Sequence, residues 1–317
     1  MTDHTQELKS RRISIMGLMN TLGFLFHHPL ASLNKFKAFS NFLHWQLHYR
    51  SANQSLSAFL FLFVENTKII LRPGETGATG NIYTGLHEFV DMSLIMHFLS
   101  KEDLFFDIGA NIGSYSLLAG GVSNSSVIAL EPVSHTFSKL IENIGVNNLF
   151  EKVKCLQYGA GSSISQGTIT TDYGCQNKII SESQIDMTTP RRLSEANSEL
   201  INITTIDELS KLYGFPTAIK IDVEGYEDFA FEGASKTLNS DILSLIIIET
   251  VSDSLHQQFS QAGFVRVYYN PYTREILNTP IPSFTPGNYI YVKHLNLVIQ
   301  KVNQSPTYLI HNMGVRI

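Results

Sequence analysis

Residues 103–116 read Asp-Leu-Phe-Phe-Asp-Ile-Gly-Ala-Asn-Ile-Gly-Ser-Tyr-Ser. An apolar run ends in an acid, Asp107, and passes through a glycine-containing turn into a helix-like segment. That order describes a strand feeding a ligand loop at a helix N-terminus. It confines the chain to folds in which ligands gather beyond the carboxyl ends of parallel strands. The downstream pattern agrees. Strands are expected over 126–130, 153–158, 218–223 and 243–248, with helices over 137–146, 206–213, 226–238 and 256–262. A last strand pair is expected over 264–269 and 289–292, with a proline-containing loop between them. Strands alternating with helices predict an α/β, doubly wound, mostly parallel sheet.

Upstream, 59–64 and 68–71 read as short strands, and residues 73–88 as a long loop marked by Pro73, Gly74, Gly77, Gly80 and Gly85. Phe89, Met92, Ile95, Met96 and Leu99 then form a helical stripe. In residues 11–57, Phe36, Phe39, Phe42 and Leu43 recur at helical spacing. The expected division is therefore an N-terminal helical extension (1–57), a main domain (58–294) with a substrate-facing loop (73–88) and an irregular insertion (159–202), and a C-terminal tail (295–317). The extension packs on the domain in one reading. In the other, it is a peripheral membrane or self-association element, because basic residues flank its aromatics. Within residues 1–50, Lys9, Arg11, Arg12, Lys35, Lys37 and Arg50 face only Asp3 and Glu7.

A net charge of −5 argues against a general nucleic-acid binder. No stretch reaches the roughly 18 apolar residues of a membrane span, and no small-residue cleavage site follows residues 13–26, so a cytoplasmic location is expected. Cys155 and Cys175 lack metal-type spacing.

The turn at Gly109-Ala110-Asn111-Ile112-Gly113 lacks the G-x-G-x-x-G of a dinucleotide site and the Lys-Ser/Thr of a P-loop. A carboxylate before the turn repels phosphate and suits a cation. S-adenosyl-L-methionine carries an ammonium and a sulfonium and no phosphate. A second acid, Glu131, ends the next strand, 24 residues after Asp107, where a carboxylate can accept ribose hydroxyls.

Four blocks carry a family resemblance: Asp107-Ile-Gly-Ala-Asn-Ile-Gly, Ala129-Leu-Glu-Pro132, Thr204-Thr-Ile-Asp-Glu-Leu and Lys220-Ile-Asp-Val-Glu-Gly-Tyr-Glu227. The chain resembles the FkbM family of S-adenosylmethionine-dependent methyltransferases over roughly residues 80–250. The resemblance implies a class I, Rossmann-like methyltransferase fold of seven strands with the last antiparallel, and O-methylation of a hydroxyl on a sugar, glycan, glycolipid or polyketide. Cofactor contacts are expected from Asp107, Gly109, Ala110, Asn111, Gly113, Ser114, Glu131, Pro132, Gly159 and Asp222. The family often has Tyr-Glu before the first strand, where this chain has His87-Glu88.

The strand expected over 218–223 is unusual. A central parallel strand should be apolar on both faces, yet Lys220, Asp222 and Glu224 alternate along one face of this segment. A structural ion pair, with Glu249 of the next strand as a further partner for Lys220, is the plain explanation. The functional one is a catalytic edge facing the methyl group. Removing the proton from an alcohol calls for a carboxylate or histidine within hydrogen-bond reach. Asp222 is the first choice, with Glu224, His87 and Glu88 as further catalytic candidates. Asp222, Glu224 and Glu249 could hold a divalent ion, but Lys220 among them weighs against this, so no metal is expected. A polyketide or other secondary-metabolite hydroxyl is the alternative acceptor, and a non-catalytic cofactor-binding subunit the alternative role.

Overall fold

The structure, a computed structural model, describes residues 15–49, 57–73, 75–171, 179–180, 198–282, 284 and 287–317. The run at 104–108 forms the strand at its centre. Leu104–Ile108 (β1) alternates its buried side chains between two apolar layers: Phe105 joins one, and Phe106 and Ile108 the other. The same parity holds along its neighbours Ser126–Leu130 (β2), Ala218–Ile221 (β4) and Leu245–Ile248 (β5). Val127, Ala129, Ala218, Leu245 and Ile247 face the first layer, and Ile128, Leu130, Ile219, Ile221, Ile246 and Ile248 the second. Strands that are apolar on both faces are stable only with both faces covered, which is why the sheet is doubly wound.

With Val153–Leu156 (β3), Val265–Asn270 (β6), Glu275–Leu277 (β7) and Tyr289–Val292 (β8), the sheet has eight strands in the order β7-β6-β8-β5-β4-β1-β2-β3. The strands β3, β2, β1, β4 and β5 are parallel, and β8 runs antiparallel between β5 and β6. This is the Rossmann-like, class I methyltransferase arrangement expected of the chain, extended by β7, which pairs antiparallel with β6 at the edge.

Several expectations are corrected. Residues 73–88 are not simply a loop, because Thr76–Thr84 is a helix (α4) ending at Gly85 with φ 86°. Glycine lowers intrinsic helix propensity, but burial of Ile82 and Tyr83 against the rest of the core overrides it. The strand expected over 218–223 stops at Ile221, so Asp222 and Glu224 lie beyond the sheet. Glu224 takes φ 50° and Gly225 φ 85°, which turns the chain away. The helix expected over 226–238 is two short ones, Glu227–Glu232 and Ser235–Leu238. The described parts of the insertion form a four-stranded sheet of Gly159–Ala160, Ser165–Thr170, Ile179–Ile180 and Ser198–Thr204. Residues 295–317 form a helix, Leu295–Gln304, and a small hairpin, with Val298, Val302, Ile310 and Met313 in the core.

Residues 1–14, which include the polar start and the Arg11-Arg12 pair, lie outside the described residues, as does Cys175. The rest of the extension holds Ile15–His27 (α1), Pro29–Ser32 (α2) and Lys35–His44 (α3), followed by a π-helical turn, Trp45–Tyr49. Leu25, Leu30, Ala31, Ala38, Phe42 and Trp45 bury into the same core as the sheet. Among the described residues, no helix is long and apolar enough to cross a membrane.

Candidate active site

Strand register builds the site. Ile108 pairs with Leu130 and with Ile221, and Ile221 pairs with Ile248. The next residue along each strand is therefore Gly109, Glu131, Asp222 or Glu249, and these four stand side by side at one edge of the sheet. They line a cavity of about 350 Å³. Ala110, Asn111, Ser114, Pro132, Gly159, Glu224, His87 and Glu88 line it too. Two expected cofactor contacts do not. Asp107 points into the protein, where its carboxylate accepts the Ser116 hydroxyl at 2.6 Å, and Gly113 packs beneath the turn against Leu140. Asp107 is the last but one residue of its strand, so the alternation that puts Phe106 and Ile108 in one layer sends it into the other.

Gly109 cannot be another residue. Its φ is 78°, and a Cβ there would lie 1.9 Å from the Asp222 carbonyl oxygen. Asn111 also takes positive φ, at 52°, and its N–H donates to Glu131 at 3.0 Å. The Val133 N–H donates to the other Glu131 oxygen, also at 3.0 Å. One carboxylate therefore holds the glycine turn and the next loop together. Burial pushes Glu131 up to about 7, against the pull of these two donors.

At the other end, the Lys220 ammonium meets Asp222 at 2.8 Å and lies 5.0 Å from the centre of the Tyr115 ring. Burial disfavours its charge, but Asp222, Glu88 and Asp107 more than offset that, so its pKa moves up. Burial works against the charge of Asp222 as well, but Lys220 outweighs it and holds that carboxyl below the ordinary range. Glu249 moves the opposite way, to about 8, because it is partly buried and faces Asp222, Glu224 and Glu227. Oxygens of Asp222, Glu224 and Glu249 all lie within 4.8 Å of one another. Lys220 therefore favours the ionised form of Asp222, and burial with the neighbouring acids favours the protonated form of Glu249.

The wall facing these acids comes from the segment before β1. Glu88 accepts from Asn288 at 2.8 Å, and the same amide donates to Asp91 at 2.9 Å. Asp91 is fully buried and is pushed up to about 8, first by burial and then by Glu88. Burial likewise raises the Tyr115 hydroxyl, beside Glu88 and Asp91. His87 is held neutral by burial and packs its ring against Gly80 and Phe24. Asn81 fixes this wall: it accepts the His87 N–H at 2.8 Å and donates to Ser114 at 3.2 Å.

Asn81, Asp91, Tyr115 and Asn288 escaped the sequence reading. Asp91 alone left a signal there, as an acid within a helix (Phe89–Phe98, α5) that is otherwise buried on every face. The Asp207 motif has a structural use. Its carboxylate accepts the Lys236 and Thr237 N–H groups, and Thr205 caps the helix that begins at Ile206.

A doubly wound sheet with a glycine turn on its central strand and carboxylates at the ends of three of the flanking strands places its cavity where open α/β sheets bind ligands. Residues 107–275 match the methyltransferase FkbM domain, so the chain belongs to the FkbM methyltransferase family. A curated relative, the hexuronic acid methyltransferase AglP of Haloferax volcanii, is 29% identical over 158 residues. The match covers 49% of this chain and 59% of that protein. Among solved structures, a methyltransferase FkbM from Methylobacillus flagellatus aligns with 17% identity over 62% of this chain and 47% of its own, at a TM-score of 0.39. A precorrin-6y C5,15-methyltransferase from Geobacter metallireducens aligns with 13% identity over 64% and 84%, at a TM-score of 0.35.

Proposed function

We propose that the protein is an S-adenosyl-L-methionine-dependent O-methyltransferase acting on a hydroxyl of a sugar, free or within a glycan or glycolipid. The observation that carries this reading is the alignment of Glu131, Asp222 and Glu249 at adjacent strand ends around Gly109. The donor set fits the cofactor: Glu131 retains free acceptor capacity for the ribose diol, and the acids beyond Gly109 suit an ammonium. When bound, S-adenosylmethionine would supply a methyl group already activated on a sulfonium. The turn from Gly109 to Ser114, with Pro132 and Gly159, would form the walls around it.

The chain's own work is then alignment and proton handling. Asp222, ionised by Lys220, accepts a hydrogen bond from the acceptor hydroxyl and orients its oxygen. Asp222 takes the acceptor's proton as the new carbon–oxygen bond forms and the bond from methyl to sulfur breaks, with Glu249 beside it. Glu224 flanks this edge. Glu88 and neutral His87 shape the opposite wall. Among the described residues, the side chains lining the cavity include five carboxylates and one cation, Lys220, which is already paired. That balance supports an uncharged hydroxyl as the acceptor group, and the name of the Haloferax relative supports a sugar. The catalytic unit in this reading is residues 58–294, with the helix and hairpin of residues 295–317 packed on its core.

Calorimetry tests the cofactor, and methyl transfer from labelled S-adenosylmethionine to a panel of glycosides tests the reaction. Binding that weakens in Glu131→Gln, with label in a sugar ether, is the expected result. A wild-type protein that does not bind S-adenosylmethionine would overturn the reading.

A further inference from the structure

Helix α3 and the turn after it are apolar on two faces, and among the described residues only one of these faces is buried. Ala38, Phe42 and Trp45 face inward and are buried. Phe36, Phe39, Leu43 and Leu47 recur every three or four residues on the outside, with Phe36 83% exposed and Leu47 69% exposed. A surface helix normally turns a polar face to water.

The charge around this stripe is one-sided. Residues 8–64 contain no Asp or Glu, in a chain that carries 28 acids and a net charge of −5. The basic residues of that stretch include Lys35 and Lys37, which are exposed on α3 itself. Exposed aromatic and aliphatic side chains flanked only by cations are the signature of a helix that lies in a lipid interface.

We propose that α3 and the following turn dock the protein on a membrane surface containing anionic lipid. A second copy of the chain fits this face less well. A two-fold contact through this face would bring together two copies of one surface, and the acid-free stretch around it offers the lysines of either copy no carboxylate to pair with. The docking face also reaches the cavity through the fold. Gln46 donates to the Tyr83 hydroxyl of α4 at 3.2 Å, and α4 supplies Ala78 and Asn81 to the cavity wall. The helices that would meet the lipid thus brace the cavity wall.

The test is cosedimentation of the full chain with vesicles of phosphatidylcholine alone or mixed with phosphatidylglycerol. Binding to the anionic vesicles only, weakened by salt, is expected. Lys35→Ala and Lys37→Ala should each reduce it about fivefold, and Phe36→Asp with Leu47→Asp should abolish it. These side chains are exposed, so an unchanged melting temperature confirms that each variant is folded. Wild-type protein left in the supernatant, or variants that bind as well as the wild type, would overturn the proposal. So would a lipid-free dimer that the Phe36→Asp, Leu47→Asp variant dissociates, because that result assigns the face to a second copy.

Discussion

Lys220→Met should damage the protein more than Asp222→Asn, although the two residues form one ion pair. The attraction across 2.8 Å is about 6 kcal/mol at an effective dielectric of about 20. Desolvating Lys220, which is 3% exposed, cancels much of it. Removing one partner of a buried pair typically costs about 3–5 kcal/mol, because the other charge is stranded. Lys220→Met leaves Asp222 without its cation beside Glu224 and Glu249, all within 4.8 Å. Because the Asp222 side chain is 32% exposed, water screens part of this, so about 3 kcal/mol, the lower end of that range, is expected. Asp222→Asn leaves Lys220 with Glu88 and Asp107 as counter-charges, and about 1–2 kcal/mol is expected from the weakened hydrogen bond.

Urea unfolding of the wild type, both single variants and the double variant measures these costs as a cycle. The pH dependence has a definite sign. The folded pKa of Asp222 lies below its ordinary value, so the pair stabilises the protein above that ordinary value, and the contribution is lost as pH falls through the depressed one. The deficit of Lys220→Met should accordingly be largest near pH 8 and shrink in acid. Equal costs for the two variants, additivity in the double variant, or a deficit that grows in acid would refute the reasoning.

Other perturbations probe the turn and the remaining acids. Gly109→Ala places a Cβ 1.9 Å from the Asp222 carbonyl at φ 78°. It should cost about 3 kcal/mol or more through strain and forced separation of β1 and β4, read as a lowered melting temperature. Glu131→Gln should weaken S-adenosylmethionine binding about 10- to 100-fold by calorimetry, the equivalent of one charge-assisted hydrogen bond. Wild-type affinity should rise with pH through about 7 as Glu131 ionises, and the variant should lack that step. Glu249→Gln should remove an ionisation near pH 8 from the pH profile of methyl transfer. Exhaustive EDTA treatment should leave turnover intact, because the Lys220 ammonium already neutralises Asp222.

Much of this site could be read locally. A strand ending in Asp-Ile-Gly, an acid before a proline at Glu131 and charges in a strand that should be apolar are short-range signals, and each points to the sheet edge that the cavity borders. The misses share a different cause. Helix α4 is masked by its glycines, because its stability comes from packing rather than propensity. Asn288 meets Glu88 and Asp91 across about two hundred residues of chain, and nothing near it in sequence marks it. Asp107 carries the strongest motif, yet its carboxylate serves Ser116 and not the cavity wall.

The sequence alone determined the alternation of strands and helices, the glycine turn and its flanking acids, and the family to which they belong. These follow from residue order, because periodicity and turn chemistry act over a few residues. Tertiary structure decided which acids meet. Register places Asp222 between Gly109 and Glu249. Folding gives Asp222 a buried lysine as counterion and raises Glu249, and the segment before β1 closes the opposite wall. Proximity and ionisation depend on neighbours brought from distant parts of the chain, and only the folded sheet assembles them.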